Sequence, residues 1–317
     1  MSLPNSVMRH SGSWLVQQFA QQFGDTISEP VVFGIGRTAW YCLYSRGAGV
    51  PFLLTYHPQR VERMFMAINV ATETYHCWTT KPISRSEIYC FEHGNVLPQL
   101  DKKKLESGFD ESGNDSDPRY FCVWPVRVIP PSDEHGWPSA EVRIPGINDP
   151  VIIEGEILAR SWRACRQELA EHSFYLPYVR SVRWNRRVVI RLAIQQWIHQ
   201  MEQRNSQYGV AGLDALAKLA DILSEGDTAV WNRTRGQALE DGGASGMRDL
   251  WARFLEEAAD ELRDPVLPEA AALYWQVAEL WSAMFAAVQP ATEVARSVRH
   301  VLEIEKAALQ MLQRHFS

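Results

Sequence analysis

Cysteine is scarce and scattered in this chain. Its five cysteines (Cys42, Cys77, Cys90, Cys122 and Cys165) form no CxxC pair in 317 residues, and that spacing excludes a structural zinc site of the usual kind. They are expected to be reduced and mostly buried thiols. Long apolar runs are missing too: no stretch approaches the roughly 18 to 20 residues of a membrane helix. Met1 to Ser13 lacks the apolar core of about 7 to 15 residues that a signal peptide needs. A cytoplasmic protein that stays out of the membrane is the expectation. Positive charge is not in excess either. The net charge of −6 provides no global field for nucleic acid, although a small local basic site remains compatible with it. Finally, Gly34-Ile35-Gly36 is followed by no third glycine at GxGxxG spacing and no Lys-Ser/Thr pair, which excludes the common phosphate loops. No cofactor and no metal are expected.

What is present is apolar material, 46% of the residues, enough for one large or two medium domains. Trp14, Leu15, Phe19 and Phe23 recur at helical spacing, which predicts a helix over 12–23 ended by Gly24. The run from Glu29 through Val31-Val32-Phe33 to Gly36 reads as a strand or turn leading into Trp40–Tyr44. Residues 110–118, acidic and rich in breakers, read as a surface loop. Strands are predicted at Tyr120–Ile129 and Ala140–Ile144. A third at Val151–Ile153 runs into a helix from about Glu154 to Glu171.

Near residue 180 the pattern becomes helical, with four or five amphipathic segments. Leu250, Phe254, Leu255, Ala258 and Leu262 make one stripe; Leu273, Val277, Leu280, Trp281 and Met284 another; Val294, Val298, Val301, Leu302, Leu309 and Leu312 a third. Twelve tryptophans imply extensive aromatic packing, with Trp197, Trp231, Trp251, Trp275 and Trp281 as bundle core or as lining for an interface. The expected architecture is α+β, with an antiparallel sheet in residues 1–178 and an all-α helical half in residues 179–317.

Several stretches, in order along the chain, resemble the butirosin biosynthesis protein H-like family. Ser28-Glu29-Pro30-Val31-Val32-Phe33-Gly34-Ile35-Gly36 is similar to its S-E-x-x-x-F-G-[LI]-G element. Gly94-Asn95-Val96-Leu97 through Asp101 to Leu105 is similar to its G-x-P-V…D-x-x-x-L strand, and Val151 to Arg160 to its linker into L-x-x-A-R. In the second half, Gly242-Gly243-Ala244-Ser245-Gly246-Met247-Arg248 followed by Leu250, Phe254, Leu255, Glu257, Ala258 and Ala259 resembles its G-x-G-G-x-x-F-R-x-x-[YF]-x-x-F-L-x-E-A-A signature. The resemblance implies a papain-like, cysteine-enzyme-type fold for residues 1–178 and the family's usual helical domain after it. It also implies transfer of an acyl group from a carrier-protein thioester to an amine. The site it implies has a cysteine at a helix N-terminus, a histidine base on a central strand and an acid on the next strand.

None of the three roles is retained at the matching positions. The family's His-Cys pair falls on His10-Ser11, so a serine replaces the nucleophile. Ser11 has two readings, an acyl acceptor with His10 or a distant histidine as base, or the N-cap of the helix it precedes. The base position falls on Trp124, whose indole only donates, and no histidine lies between His93 and His135. The acid position falls on Pro145. Elsewhere, His76 and Cys77 are neighbours in Tyr75-His76-Cys77-Trp78, and on a strand they would face opposite sides. His57, His93 and His135 read as solvated histidines near turns. Asp101 matches a retained acidic position without defining a reaction.

Two functions follow. In the first, the chain is a catalytically degenerate acyltransferase-family protein of specialised-metabolite biosynthesis, a binding or partner subunit for an acyl carrier protein or acyl thioester. It would then be a homodimer or would pair with an active homologue. In the second, it is an active N-acyltransferase using Ser11 or rearranged residues.

Overall fold

The amphipathic stripe around Trp14, Leu15 and Phe19 forms helix α1 (Ser11–Gln21), with Trp14, Leu15, Val16, Phe19 and Ala20 buried. Gly24 closes the segment at φ +78°, the left-handed conformation that a terminating glycine supplies without steric cost. The structure, a computed structural model, describes residues 11–44, 49–57, 60–68, 73–74, 84–89, 96–101, 104–105, 120–132, 135–145, 147–168, 173–175, 184–240 and 245–316. The expected surface loop at 110–118 lies outside the described residues. The chain forms two units that do not follow its order: Met1–Thr26, Ile68–Arg183 and Glu240–Gly242 make the first, and Ile27–Ala67, Trp184–Leu239 and Gly243–Ser317 the second. One crossing, at 183/184, falls near the boundary read at 178/179, and residues 27–67 fold with the helical part of the chain.

In the first unit, β3 (Glu73–Thr74), β4 (Val96–Asp101), β5 (Tyr120–Cys122) and β9 (Ser173–Tyr175) form an antiparallel sheet in the order β3-β9-β4-β5. A second sheet is a meander of β6 (Trp124–Ile129), β7 (Ser139–Arg143) and β8 (Val151–Ile153). The expected single strand at Tyr120–Ile129 is therefore two strands in two sheets, separated at Val123. Pro125 lacks an N–H for the ladder, and the β6–β7 register shifts between Pro125 and Arg127. Helix α4 (Arg85–Tyr89) and helix α5 (Gly155–Glu168) complete the unit. Its core gathers Ile88, Leu100, Val128, Val142, Leu158 and Trp162, among others. Gly155 starts α5 so close to Trp137 that an added Cβ would lie 2.4 Å from the Trp137 carbonyl oxygen.

The second unit contains helix α2 (Glu29–Ile35), β1 (Ala39–Tyr44), β2 (Phe52–Tyr56) and α3 (Arg60–Ala67). Helix α6 (Arg186–Glu202) follows, then β10 (Asn205–Ser206), β11 (Gly209–Ala211) and α7 (Gly212–Ser224). The remaining helices are α8 (Thr228–Glu240), α9 (Arg248–Leu262), α10 (Val266–Ala286) and α11 (Ala291–Phe316). Two expectations are corrected here. Residues 179–317 are not all-helical, because β10 and β11 form a hairpin that pairs onto β1, giving the sheet order β10-β11-β1-β2. Gly209, at φ +138°, approaches the Leu43 carbonyl too closely for a side chain, which suits that hairpin to its place beside β1. The run Glu29–Gly36 is a helix rather than a strand or turn. Ser28 caps it by accepting a hydrogen bond from the Val31 N–H at 3.3 Å, and Pro30 and Glu29 occupy its first turn, where each is favourable.

The helical stripes are the core of this unit. Val294, Val298, Val301, Leu302, Leu309 and Leu312 of α11 are all buried, as are Leu250, Phe254, Leu255 and Ala258 of α9. Two stretches that carry the family resemblance meet here: Ser28 donates to the Glu257 carboxylate, and Gly34 lies so close to the Phe254 ring that a Cβ would overlap it. Because Ser28 both caps α2 and holds α9, Ser28→Ala is expected to destabilise the chain by about 1 kcal/mol, and Ser28→Thr to restore most of that. Urea unfolding of the three proteins measures it; an unchanged midpoint in Ser28→Ala refutes the capping role.

Candidate functional site

The positions that the resemblance assigns to chemistry lie in the first unit, on α1, β6 and the end of β7. Ser11 is the first residue of α1. His10 lies outside the described residues, as do His93 and Tyr75–Trp78. Trp124 opens β6 and pairs across the ladder with Arg143, the last residue of β7; Pro145 follows two residues later and is buried. The position matching the base therefore lies in β6, and the one matching the acid lies just past the end of the strand paired with it. Trp124 is half-buried and packs on α1 through Phe19, the ring centroids 6.3 Å apart. That contact lies eight residues, or about 12 Å of helix rise, beyond Ser11. At these two positions the chain offers an indole and a pyrrolidine ring, neither able to accept and return a proton at neutral pH.

The other residues singled out from the sequence are placed as follows. Asp101 ends β4 and is buried, and its carbonyl accepts a hydrogen bond from the Ser161 hydroxyl at 2.8 Å. His135 is exposed, and its carbonyl accepts from Arg85. His57 is a correction: instead of being solvated, it is 5% exposed and packed at a tilt on Trp40 at 4.8 Å, with Tyr208 edge-on at 6.0 Å. Burial first, then the charges of Arg63 and Arg37, lowers its pKa to about 2, so its ring is neutral across the physiological range. Cys42 is a buried thiol in β1, and burial raises its pKa to about 11 against the opposing effect of its hydrogen bond with Ser206; a thiol held protonated in this way is a poor nucleophile. Cys122 is buried as well.

A charged network that sequence reasoning missed crosses the core of the second unit. Arg248 and Glu305, both without solvent exposure, form an ion pair through Arg248 Nε at 2.7 Å. The Tyr41 hydroxyl donates to the same carboxylate oxygen at 2.7 Å and accepts from Trp281 Nε1 at 2.9 Å. The guanidinium carbon lies 3.9 Å from the centroid of the Tyr41 ring. Burial drives the Tyr41 pKa well above its usual value, so it stays a neutral donor. Trp197, Trp251 and Tyr274 surround α6 and α9 with stacked and edge-on contacts. Only the arginine in the Gly-Met-Arg stretch hinted at any of this, because the hydrogen-bonded pairs of the network lie 57 to 264 residues apart along the chain.

Fold and site thus define an α+β protein with antiparallel sheets and a helix-rich unit organised around a buried ion pair. Residues 159–314 match the profile of a domain of unknown function (DUF4872). No curated protein matches the chain. Among the described residues no helix is long and apolar enough to cross a membrane, and no group of three or more His, Cys, Asp or Glu is placed to hold a metal ion.

Proposed function

We propose that the chain is a non-catalytic relative of the butirosin protein H-like acyltransferases, with a papain-like first part. It would act in specialised-metabolite biosynthesis as a binding or partner subunit for an acyl carrier protein or acyl thioester. The observation that carries this reading is the pairing of β6 with β7. It pairs Trp124 with Arg143, two residues before Pro145, so the residues matching the family's base and acid come close together, where a histidine and a carboxylate would have to cooperate. Trp124 instead packs at a tilt on Phe19, a role that uses the indole as apolar bulk. The contacts of Ser28 with Glu257 and of Gly34 with Phe254 support the same reading, because they join two resembling stretches into one framework while the chemistry is replaced. Either a second copy or an active homologue would complete such an assembly.

Incubation of the full chain with an acyl-carrier-protein thioester tests this. Intact-protein mass spectrometry is expected to show no acyl adduct, and Ser11→Ala is expected to bind the acylated carrier with unchanged affinity. An adduct that disappears in Ser11→Ala would instead make the chain an active N-acyltransferase with a serine nucleophile.

A further inference from the structure

We propose that Arg37, Arg63, Gln196 and Gln200, backed by His57, form a binding site for a phosphate-type oxyanion in the second unit. Arg37 lies in the turn between α2 and β1, Arg63 in α3, and the two glutamines four residues apart on one face of α6. Arg37 donates to Gln196 Oε1 at 2.6 Å and Arg63 to Gln200 Oε1 at 2.5 Å, while Gln200 Nε2 donates back to the Arg37 carbonyl at 3.4 Å. The two guanidinium groups thus each donate to an amide oxygen, on glutamines one turn apart along α6. His57, packed at a tilt on Trp40, feels the charges of both arginines.

The acceptor on Arg37 is the telling feature. A guanidinium is a planar fork with five N–H donors, matched by carboxylate or phosphate oxygens, and its charge is compensated best by an anion. Arg37 is half-buried and has no carboxylate partner among the described residues; burial alone pulls its pKa down, with no neighbouring anion opposing it. A partly desolvated cation facing an amide oxygen retains donors and charge that an oxyanion satisfies. Arg37 also holds φ +54°, a left-handed backbone that residues with side chains seldom adopt, so its guanidinium reaches α6 from a specialised turn. Solvent reaches the cluster at Gln196, which is exposed, while Gln200 and His57 are buried. The planar donor fork of Arg37 matches two oxygens of a phosphate-type oxyanion.

The test uses the full chain and inorganic phosphate, with acetate and chloride at matched ionic strength. Phosphate at a hundredfold excess over its dissociation constant is expected to raise the thermal midpoint by about 5 °C and to shift the His57 ring resonances. Chloride and acetate are expected to do neither. Gln196→Glu, an exposed change that places a carboxylate on Arg37, is expected to raise the midpoint without phosphate and to abolish the phosphate response. Arg37→Gln is expected to weaken phosphate binding about tenfold or more. The proposal is overturned by an equal response to chloride or acetate, or by a Gln196→Glu protein that responds to phosphate as the parent does. If Arg37→Gln does not fold, the Gln196→Glu result decides.

Discussion

Glu305→Ala is expected to cost the chain about 3 to 5 kcal/mol of stability, far more than a typical surface substitution. The carboxylate has no solvent exposure and is the anionic partner of Arg248, which is equally buried. Burial works to lower the Arg248 pKa and the Glu305 charge beside it more than reverses that, so the guanidinium stays charged in the core because the carboxylate is there. Removing Glu305 leaves that charge with the Tyr41 ring and the Thr55 carbonyl at 3.4 Å as its neighbours. The intact pair is itself incompletely bonded: Arg248 Nη2 and Glu305 Oε2 have no hydrogen-bond partner among the described residues. The pair is therefore expensive to break but of modest net worth. The double variant Arg248→Met with Glu305→Leu, which removes both charges and keeps apolar volume, is expected to recover most of the loss. Guanidinium chloride unfolding of the two single variants and the double variant checks this. A loss below about 1 kcal/mol in Glu305→Ala would mean that the pair is not buried as described.

Stability is expected to fall with acid through His57. Its folded pKa is about 2, against 6.5 for the unperturbed ring. The unfolded chain accepts a proton below about pH 6.5 that the folded chain refuses, so this contribution is complete above that pH and declines as pH drops toward 2. Between pH 7 and pH 5 the decline is about 2 kcal/mol. His57→Phe, which keeps a ring against Trp40 and cannot be protonated, is expected to remove that part of the slope. The difference between the two proteins at each pH isolates His57 from the carboxylates, which titrate lower. Parallel slopes from pH 7 to pH 5 would refute the buried, neutral imidazole.

Both effects come from residues whose setting was hidden in the sequence. His57 stands between strand-like and helical segments, next to a proline, a context that suits a surface turn; only the closeness of Trp40 and Tyr208 buries it. Arg37 and Arg63 reach glutamines 159 and 137 residues away, and no local pattern registers pairs at such separation. Ser11, Trp124 and Pro145 were legible as positions only through the family resemblance. Their indole and pyrrolidine rings already speak against proton transfer at Trp124 and Pro145, and the ladder adds that Trp124 pairs with Arg143, two residues before Pro145.

Among the elements, α1, the meander strands β7 and β8, and the stripes of α9 and α11 followed directly from spacing, because each buries one face and exposes another. Helix α2 did not. Val32 to Ile35 are all buried, so no polar face marks its period, and its β-branched residues look like strand material. Sequence by itself thus determined the α+β class and most helix positions, which rest on local periodicity. Tertiary structure alone decided that residues 27–67 fold with the helical part, that a hairpin from 205–211 extends their sheet, and that an ion pair and two arginines are set among aromatic and amide groups. Those outcomes depend on which distant surfaces exclude water together, and that is a property of the assembled chain rather than of any window along it.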